Sequence, residues 1–520
     1  DRNEEMELQG LLDMITEVTP TTDGFSETKA VNSPKLSKGM IPIKWNGSNW
    51  EVCSKDDESW YSYDDTKMWA NVMLSDGKYK DGKVGAGQVV QDSELGSMYV
   101  WIPRYAYQVG DKVMDVTFLA GNTNQDKLGN TYQEASEEVD TKNTKIVHPA
   151  FKLGERELTG IWVAKFEASG TNKDGKAVGN ASSSSGSEQY APDSTTIAKS
   201  LPNKISWRHV SIGESEKRSM DITTTAKSSF GLTNGTSHLI KNSEWGAVAY
   251  LCYSDYGSVP MTNGTGRLVS NSHWYDLYTG QGPKSSTDEG YYSYDASHNY
   301  STSNGVLSST TGNVTGIYDM AGGAWERVAG YLDNGNSNLN NYGFSTTDNS
   351  IKYFQGGKLT SEYASIWNAY EVSEEEKNNQ ILIEGGEKIS QSTLWDASKQ
   401  EEKYQVARQR ITQATFDNMA AHKGIGVNEV STSCSFYGAF TDSNNNKTWS
   451  WFQTPQQAVA GTTSYARAWD NDYVLIGHVF TPFVVRGGGC NNGSGAGVLG
   501  SYIAYGYSSN YDGFRSVVVL

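Results

Sequence analysis

Four cysteines, Cys53, Cys252, Cys434 and Cys490, are scattered through 520 residues. No CxxC pair occurs, so neither a zinc site nor a dithiol redox motif is indicated. The cysteines are too sparse for a disulfide-stapled scaffold, although one or two long-range disulfides stay open. The seven histidines, His148, His209, His238, His273, His298, His422 and His478, are isolated, and no two have metal-ligand spacing. Asp442, Asn444 and Asn446 begin like a calcium loop, but Lys447 stands where that loop needs glycine and Gln453 where it needs glutamate. The acid pairs Asp56-Asp57 and Asp64-Asp65 are chain neighbours whose side chains point apart, so they make no acid/base couple. No nucleophile elbow, P-loop or dinucleotide fingerprint is present. The expectation is a chain with no catalytic residue, no metal and no other cofactor.

A different chemistry is concentrated near the C-terminus. Asn491, Asn492, Ser501, Tyr502, Ile503, Tyr505, Tyr507, Ser508, Ser509, Asn510, Tyr511 and Asp512 form a candidate ligand-binding set. Tyrosine gives large contact area with few rotors to freeze and a hydroxyl to bond with, while Ser, Gly and Asn give adaptable polar contacts. The tyrosine spacing is not a clean alternation, so some of these rings are expected to face outward. Val498 and Leu499 could be core or surface.

The elements that must position this set are read from composition and pattern. Hydrophobic residues are 37% and charged residues 20%, with 54 Gly and 31 Tyr, which favours β-structure with many loops. The net charge of -17 repels phosphate backbones, so a nucleic-acid partner is not expected. No run is long and apolar enough to span a bilayer. The first residue is Asp1, not Met, which suggests a removed leader or anchor upstream. Residues 1–20 read as an N-terminal helix, with Leu8, Leu11, Leu12 and Ile15 on one face, in keeping with the stub of an anchor or pilin-like helix. Residues 21–95 read as a small β-rich region with a hairpin at Asn46-Gly47. Strands are expected at 98–109 and 160–169, a helix over 242–253 capped by Asn242 or Ser243, and a helical insertion over 392–423. The low-complexity stretch 173–188 reads as a mobile loop.

Five ordered segments carry a resemblance: YVWIPRY (99–105), GIWVAKFEAS (160–169), NSEWGAVAYL (242–251), GIYDMAGGAWERVAGY (316–331), and VVRGGGC (484–490) with a terminal GFRSVVVL (513–520). Together they resemble the fold shared by formylglycine-generating enzymes and their non-catalytic C-type-lectin-like relatives. The implied fold class is α+β, with a C-type-lectin-like domain over 96–520 carrying insertions at about 170–200, 255–312 and 332–450. Within that family the C-terminal run RGGGCNNGSGAGVLGSYIAYGYSSNYDGFRSVVVL is most similar to variable proteins of gut-bacterial diversity-generating retroelements.

That resemblance implies a variable region at 486–515 whose Asn codons are rewritten to NNC codons. Such codons never encode Lys, Glu, Gln, Met or Trp, and none of the five occurs from 489 to 512. It implies an adhesin or receptor-binding protein displayed outside the cell, on a cell surface, pilus or phage particle, with a protein or glycan ligand on another surface. The enzymes of the family bind copper through two cysteines shortly after RGG, whereas this chain has only Cys490 there. A formylglycine-generating-type oxidase or another enzyme of the same fold is the alternative reading, against which the missing second cysteine counts. Relatives hold structural calcium through an Asn and a Glu; here Glu326 is kept and Gly323 replaces the Asn, which leaves calcium doubtful. The sugar-binding tripeptides of calcium lectins are absent.

Overall fold

The computed structural model describes residues 19–371 apart from 81–83, 111–112, 136–140, 142, 180–189, 260–267 and 275. It also describes the short strands at 381–382, 388–389, 436–441 and 447–453, residue 472, and residues 481–520. All but the last two residues of the expected helix 1–20, the expected helical insertion at 392–423 and most of the 173–188 loop lie outside the described residues.

The strand-like runs of the sequence assemble into two principal sheets. In chain order, the first half of the protein supplies β1 (Met40–Trp45), β2 (Trp50–Val52), β3 (Asn71–Leu74), β4 (Val89–Val90), β5 (Met98–Pro103), β6 (Tyr105–Val109), β7 (Met114–Phe118) and β8 (Gly160–Ala164). Helix α1 (Ile212–Met220), strand β9 (Thr236–Leu239) and helix α2 (Asn242–Cys252) follow. The last third gives β10 (Trp325–Asp333), β11 (Asn368–Glu371), β12 (Phe483–Arg486), β13 (Ser501–Ala504), β14 (Asp512–Phe514) and β15 (Ser516–Val519).

The larger sheet has eight strands in the order β9-β15-β8-β5-β3-β1-β2-β4. Every residue of β5 and β8 is buried. Both faces of these strands are covered, which is why MYVWIP and GIWVA read as unbroken apolar runs instead of alternating. The strands of 21–95 do not stand apart, because β3 pairs with β5 and carries β1, β2 and β4 outward from it. The β1–β2 turn is closed by Asn46, whose Oδ1 accepts from the N–H groups of Ser48 (3.0 Å) and Asn49 (2.8 Å), with Gly47 at φ +101°.

In the smaller sheet β10 is central. It pairs with β12 on one edge and with β14 and then β11 on the other, and β13 extends the sheet beyond β12. Two buried arginines mark places where the chain leaves one sheet for another. At Arg104 it passes from β5 to β6, which pairs with β7 in a third sheet, so the expected strand 98–109 is two strands. At Arg515 it passes from β14 to β15, so the terminal word GFRSVVVL serves both principal sheets.

Helix α2 is buried along its whole length, and NSEWGAVAYLC is apolar on most sides. Its cap is Lys241, ahead of both expected candidates, Asn242 and Ser243. Glu244 reaches back to accept the Lys241 N–H (2.8 Å), which closes the first turn and frees Asn242 for other work. The class is α+β, mostly sheet with few helices among the described residues. No helix among them is long and apolar enough to cross a membrane.

Candidate functional site

The C-terminal segment 487–512 leaves β12 through a glycine turn, returns as β13, and loops to β14. Arg486, at the end of β12, is buried. Its guanidinium donates to the Gly500 carbonyl (Nε, 2.7 Å), the Leu499 carbonyl (3.4 Å) and Asn242 Oδ1 (2.7 Å), so the start of α2 is tied to this turn. Gly488 has φ +77°, and a Cβ there would lie 2.5 Å from Ala496 Cα. Both the backbone conformation and the close approach require glycine.

Beyond the turn, the segment is held mainly through its main-chain carbonyls. Trp245 Nε1 donates to Val498 O (2.7 Å) and the Ile212 N–H to Gly506 O (2.9 Å). Arg327 donates from Nη2 to Tyr507 O and from Nε to Val210 O (2.9 Å). The His209 N–H donates to Ser509 O (2.9 Å), Arg208 Nη1 to Asn510 O (3.1 Å), and the Trp325 N–H to Tyr511 O (2.9 Å). The donors come from outside the segment, and the acceptors are atoms that every residue type possesses. Hydrogen bonds to buried guanidinium groups are among the stronger ones available.

The side chains divide accordingly. Tyr502, Tyr507 and Tyr511 are 37%, 49% and 55% exposed. Asn491 and Ser508 are also exposed, while Asn492, Tyr505, Ser509 and Asn510 are half-buried. Tyr502 packs on Trp325 with ring centroids 5.6 Å apart; Tyr507 lies 5.6 Å from Tyr505 and 5.9 Å from Tyr342. Asn492 Oδ1 accepts the Gly489 N–H (2.6 Å), and Ser509 Oγ the Tyr511 N–H (3.2 Å). Ile503 lies opposite Val484 in the β12–β13 ladder, and its side chain is outside the described residues.

Two candidates are corrected. Ser501 opens β13 opposite Arg486 and is 1% exposed, so it belongs to the interior beside Leu499 and cannot meet a ligand. Asp512 is turned toward Arg327 (3.5 Å) with 16% of its side chain exposed; burial raises its pKa, and Arg327 opposes that rise. It is a partner of the frame. Val498 and Leu499 are fully buried core residues.

Under this surface lies a buried charged cluster. Both Glu326 oxygens accept from Arg515 (2.7 Å each), whose remaining bonds run to the carbonyls of Ala164 (3.0 Å) and Tyr318 (2.8 Å). Glu167 Oε1 accepts the Ala324 N–H (2.9 Å), which fixes the Gly322-Gly323 turn. Gly323 has φ +69°, and a Cβ there would lie 2.8 Å from that same oxygen. Burial, together with Asp319 and Glu326 nearby, holds the Glu167 pKa well above its ordinary value, which favours the protonated acid. The Cys490 thiol is buried and pushed up to about 12, by desolvation first and then by Glu167. A thiol so placed is a poor nucleophile. His209 and His273 are pushed down to about 4 by burial and by Arg208, which favours neutral imidazoles. Among the described residues no three acidic, histidine or cysteine side chains converge as a metal site.

Sequence reasoning missed the holding groups. Arg208 carried no motif, Arg327 lay unremarked inside the word GIYDMAGGAWERVAGY, and Arg486 was read only for the glycines after it. Trp325 and Tyr342, which flank the exposed rings, are far away in sequence. No protein-family model and no curated protein matches the chain.

Proposed function

We propose that the protein is a non-catalytic binding protein that presents residues 491–511 as a diversified ligand surface. Its frame would be a C-type-lectin-like domain of the formylglycine-generating-enzyme type, displayed outside the cell on a surface, pilus or phage particle. The observation that carries this reading is the mode of attachment. The segment is gripped chiefly at carbonyl oxygens by Arg208, Arg327, Arg486, Trp245 and backbone N–H groups. Residue identity at the exposed positions can therefore change while the loop keeps its course. Three tyrosines with outward rings supply anchors of the kind that dominate binding energy. The neutral, buried state of the Cys490 thiol favours binding over oxidation chemistry.

The test replaces Tyr502, Tyr507 and Tyr511 together with serine in the full chain. The expected outcome is a melting temperature within about 2 °C of the parent and loss of binding to peptides selected by display on the parent protein. A collapse of stability would place these rings in the core and overturn the reading. At the gene level, a neighbouring reverse transcriptase and a repeat whose adenines align with codons 489–512 are expected.

A further inference from the structure

The three outward tyrosines are not seated alike. The Tyr502 ring lies against the Trp325 indole, with centroids 5.6 Å apart and planes at 41°. The Tyr507 ring meets Tyr342 edge-on at 5.9 Å and 63°, and Tyr505 at 5.6 Å. These separations fall in the range where aromatic pairs attract beyond simple burial. Tyr511, the most exposed of the three, has no ring partner among the described residues.

The two supporting rings stand on fixed main chain. Trp325 opens β10. It follows Ala324, whose N–H is held by Glu167 Oε1 (2.9 Å), and precedes Glu326, which pairs with Arg515. The Trp325 N–H donates to Tyr511 O (2.9 Å), a bond that does not depend on the indole. Tyr342 ends the short helix Ser337–Tyr342. Asn336 caps that helix, its Oδ1 accepting the Asn338 N–H (2.8 Å), and the Gly343 N–H closes it on the carbonyl of buried Leu339 (2.9 Å). A Cβ at Gly343 would lie 2.2 Å from the Phe354 ring, so the chain is pressed against the core directly after Tyr342. Trp325 and Tyr342 are themselves half-buried.

Both supports lie outside 489–512, so under the reading above they stay the same while the residues at 502 and 507 change. Any side chain at those two positions meets a ring that is already in place. A ring seated in this way has less rotational freedom to lose when a ligand closes over it. Tyr511 has to be ordered by the ligand itself.

We propose that Trp325 and Tyr342 are constant positioning residues of the binding surface, each acting through one changeable position, Trp325 through residue 502 and Tyr342 through residue 507. The proposal rests on the binding role inferred above. It divides the surface into two seated anchors and one unseated anchor at 511.

Double-mutant cycles test it, read by interferometry with synthetic peptides selected by display on the parent protein. Trp325→Leu keeps the main-chain bond to Tyr511 O and removes only the indole. It should weaken binding about three- to tenfold, the contribution of one ring pair. In a Tyr502→Ser background the same change should cost less than about twofold. Tyr342→Leu should behave likewise toward Tyr507→Ser. The crossed pairs, Trp325 with Tyr507 and Tyr342 with Tyr502, should be additive, as should either support with Tyr511→Ser. Trp325→Phe and Tyr342→Phe keep a ring and should bind within about twofold of the parent. Equal losses from a support variant with and without its own tyrosine would overturn the proposal. So would coupling of the same size in the crossed cycles, which marks a general loosening of the frame. If Trp325→Leu does not fold, the Tyr342 cycle decides alone. Binding that is lost with Tyr502→Ser and Tyr507→Ser but unchanged by Trp325→Leu and Tyr342→Leu refutes the positioning role only. Indifference to Tyr502, Tyr507 and Tyr511 together refutes the binding role with it.

Discussion

If the exposed segment is held by its carbonyls, removing a holder must loosen it far more than removing one of its own side chains. Arg327 and Tyr507 allow that comparison at a single contact. Arg327→Met deletes two hydrogen bonds from a buried guanidinium, to Tyr507 O and Val210 O, and strips Asp512 of its cation at 3.5 Å. Bonds of this kind are each worth about 1.5–3 kcal/mol, and breaking a buried charge pair costs about 3–5 kcal/mol. Local opening of the segment should therefore become easier by about 3–5 kcal/mol, taking the two together as overlapping contributions. Tyr507→Ser removes a half-exposed ring that meets Tyr505 and Tyr342, an interaction of about 0.5–1.5 kcal/mol. Native-state amide exchange across 505–512 reads both. The expected acceleration is about two orders of magnitude or more for Arg327→Met and less than about tenfold for Tyr507→Ser. Adding Asp512→Asn to Arg327→Met should recover part of the loss, because the carboxylate would no longer be stranded. Equal acceleration in Arg327→Met and Tyr507→Ser would refute the reasoning, since the loop would then depend on its own side chains.

Two further outcomes follow from the buried cluster. Glu167 keeps its pKa above the unfolded value of 4.5, so the folded state holds a proton that the unfolded state releases, and this group's contribution to stability falls as pH rises above about 4.5. Glu167→Gln removes that fall, so the melting temperature of the variant relative to the parent should climb as pH rises above about 4.5; parallel curves would contradict the assignment. Cys490, buried and pushed up to about 12, should resist iodoacetamide in the native protein at neutral pH and react once unfolded, as followed by peptide mass spectrometry. Labelling at the rate of a free thiol would refute the placement.

The parts of the fold legible in sequence were those set by local pattern. NSEWGAVAYLC announces a helix, the Asn46-Gly47 turn announces a hairpin, and the runs 98–109 and 160–169 announce strands, which the structure places at 98–103 with 105–109 and at 160–164. What the pattern could not show was where the chain changes sheets. Arg104 and Arg515 each sit inside an apolar word, and only their long-range partners reveal the switch: Phe151, Leu158 and Glu157 for the first, Glu326 and Ala164 for the second. The candidate surface was legible as composition, but composition does not distinguish Ser501 from Ser508 or Leu499 from Tyr502. Burial along a Gly, Ser and Tyr-rich segment is decided by arginines that lie up to three hundred residues away in the chain.

The placement of β15 has a consequence for how copies of this protein are sorted at birth. Residues 516–519 lie between β9 and β8 in the interior of the eight-stranded sheet, yet they are translated after the exposed segment. A polypeptide that stops or loses frame anywhere in 487–515 lacks an internal strand of its largest sheet, and neighbouring strands are left with unmet hydrogen-bond edges. Such chains are substrates for proteolysis. Only copies read intact through the whole segment complete the sheet, so the architecture itself screens each copy for integrity.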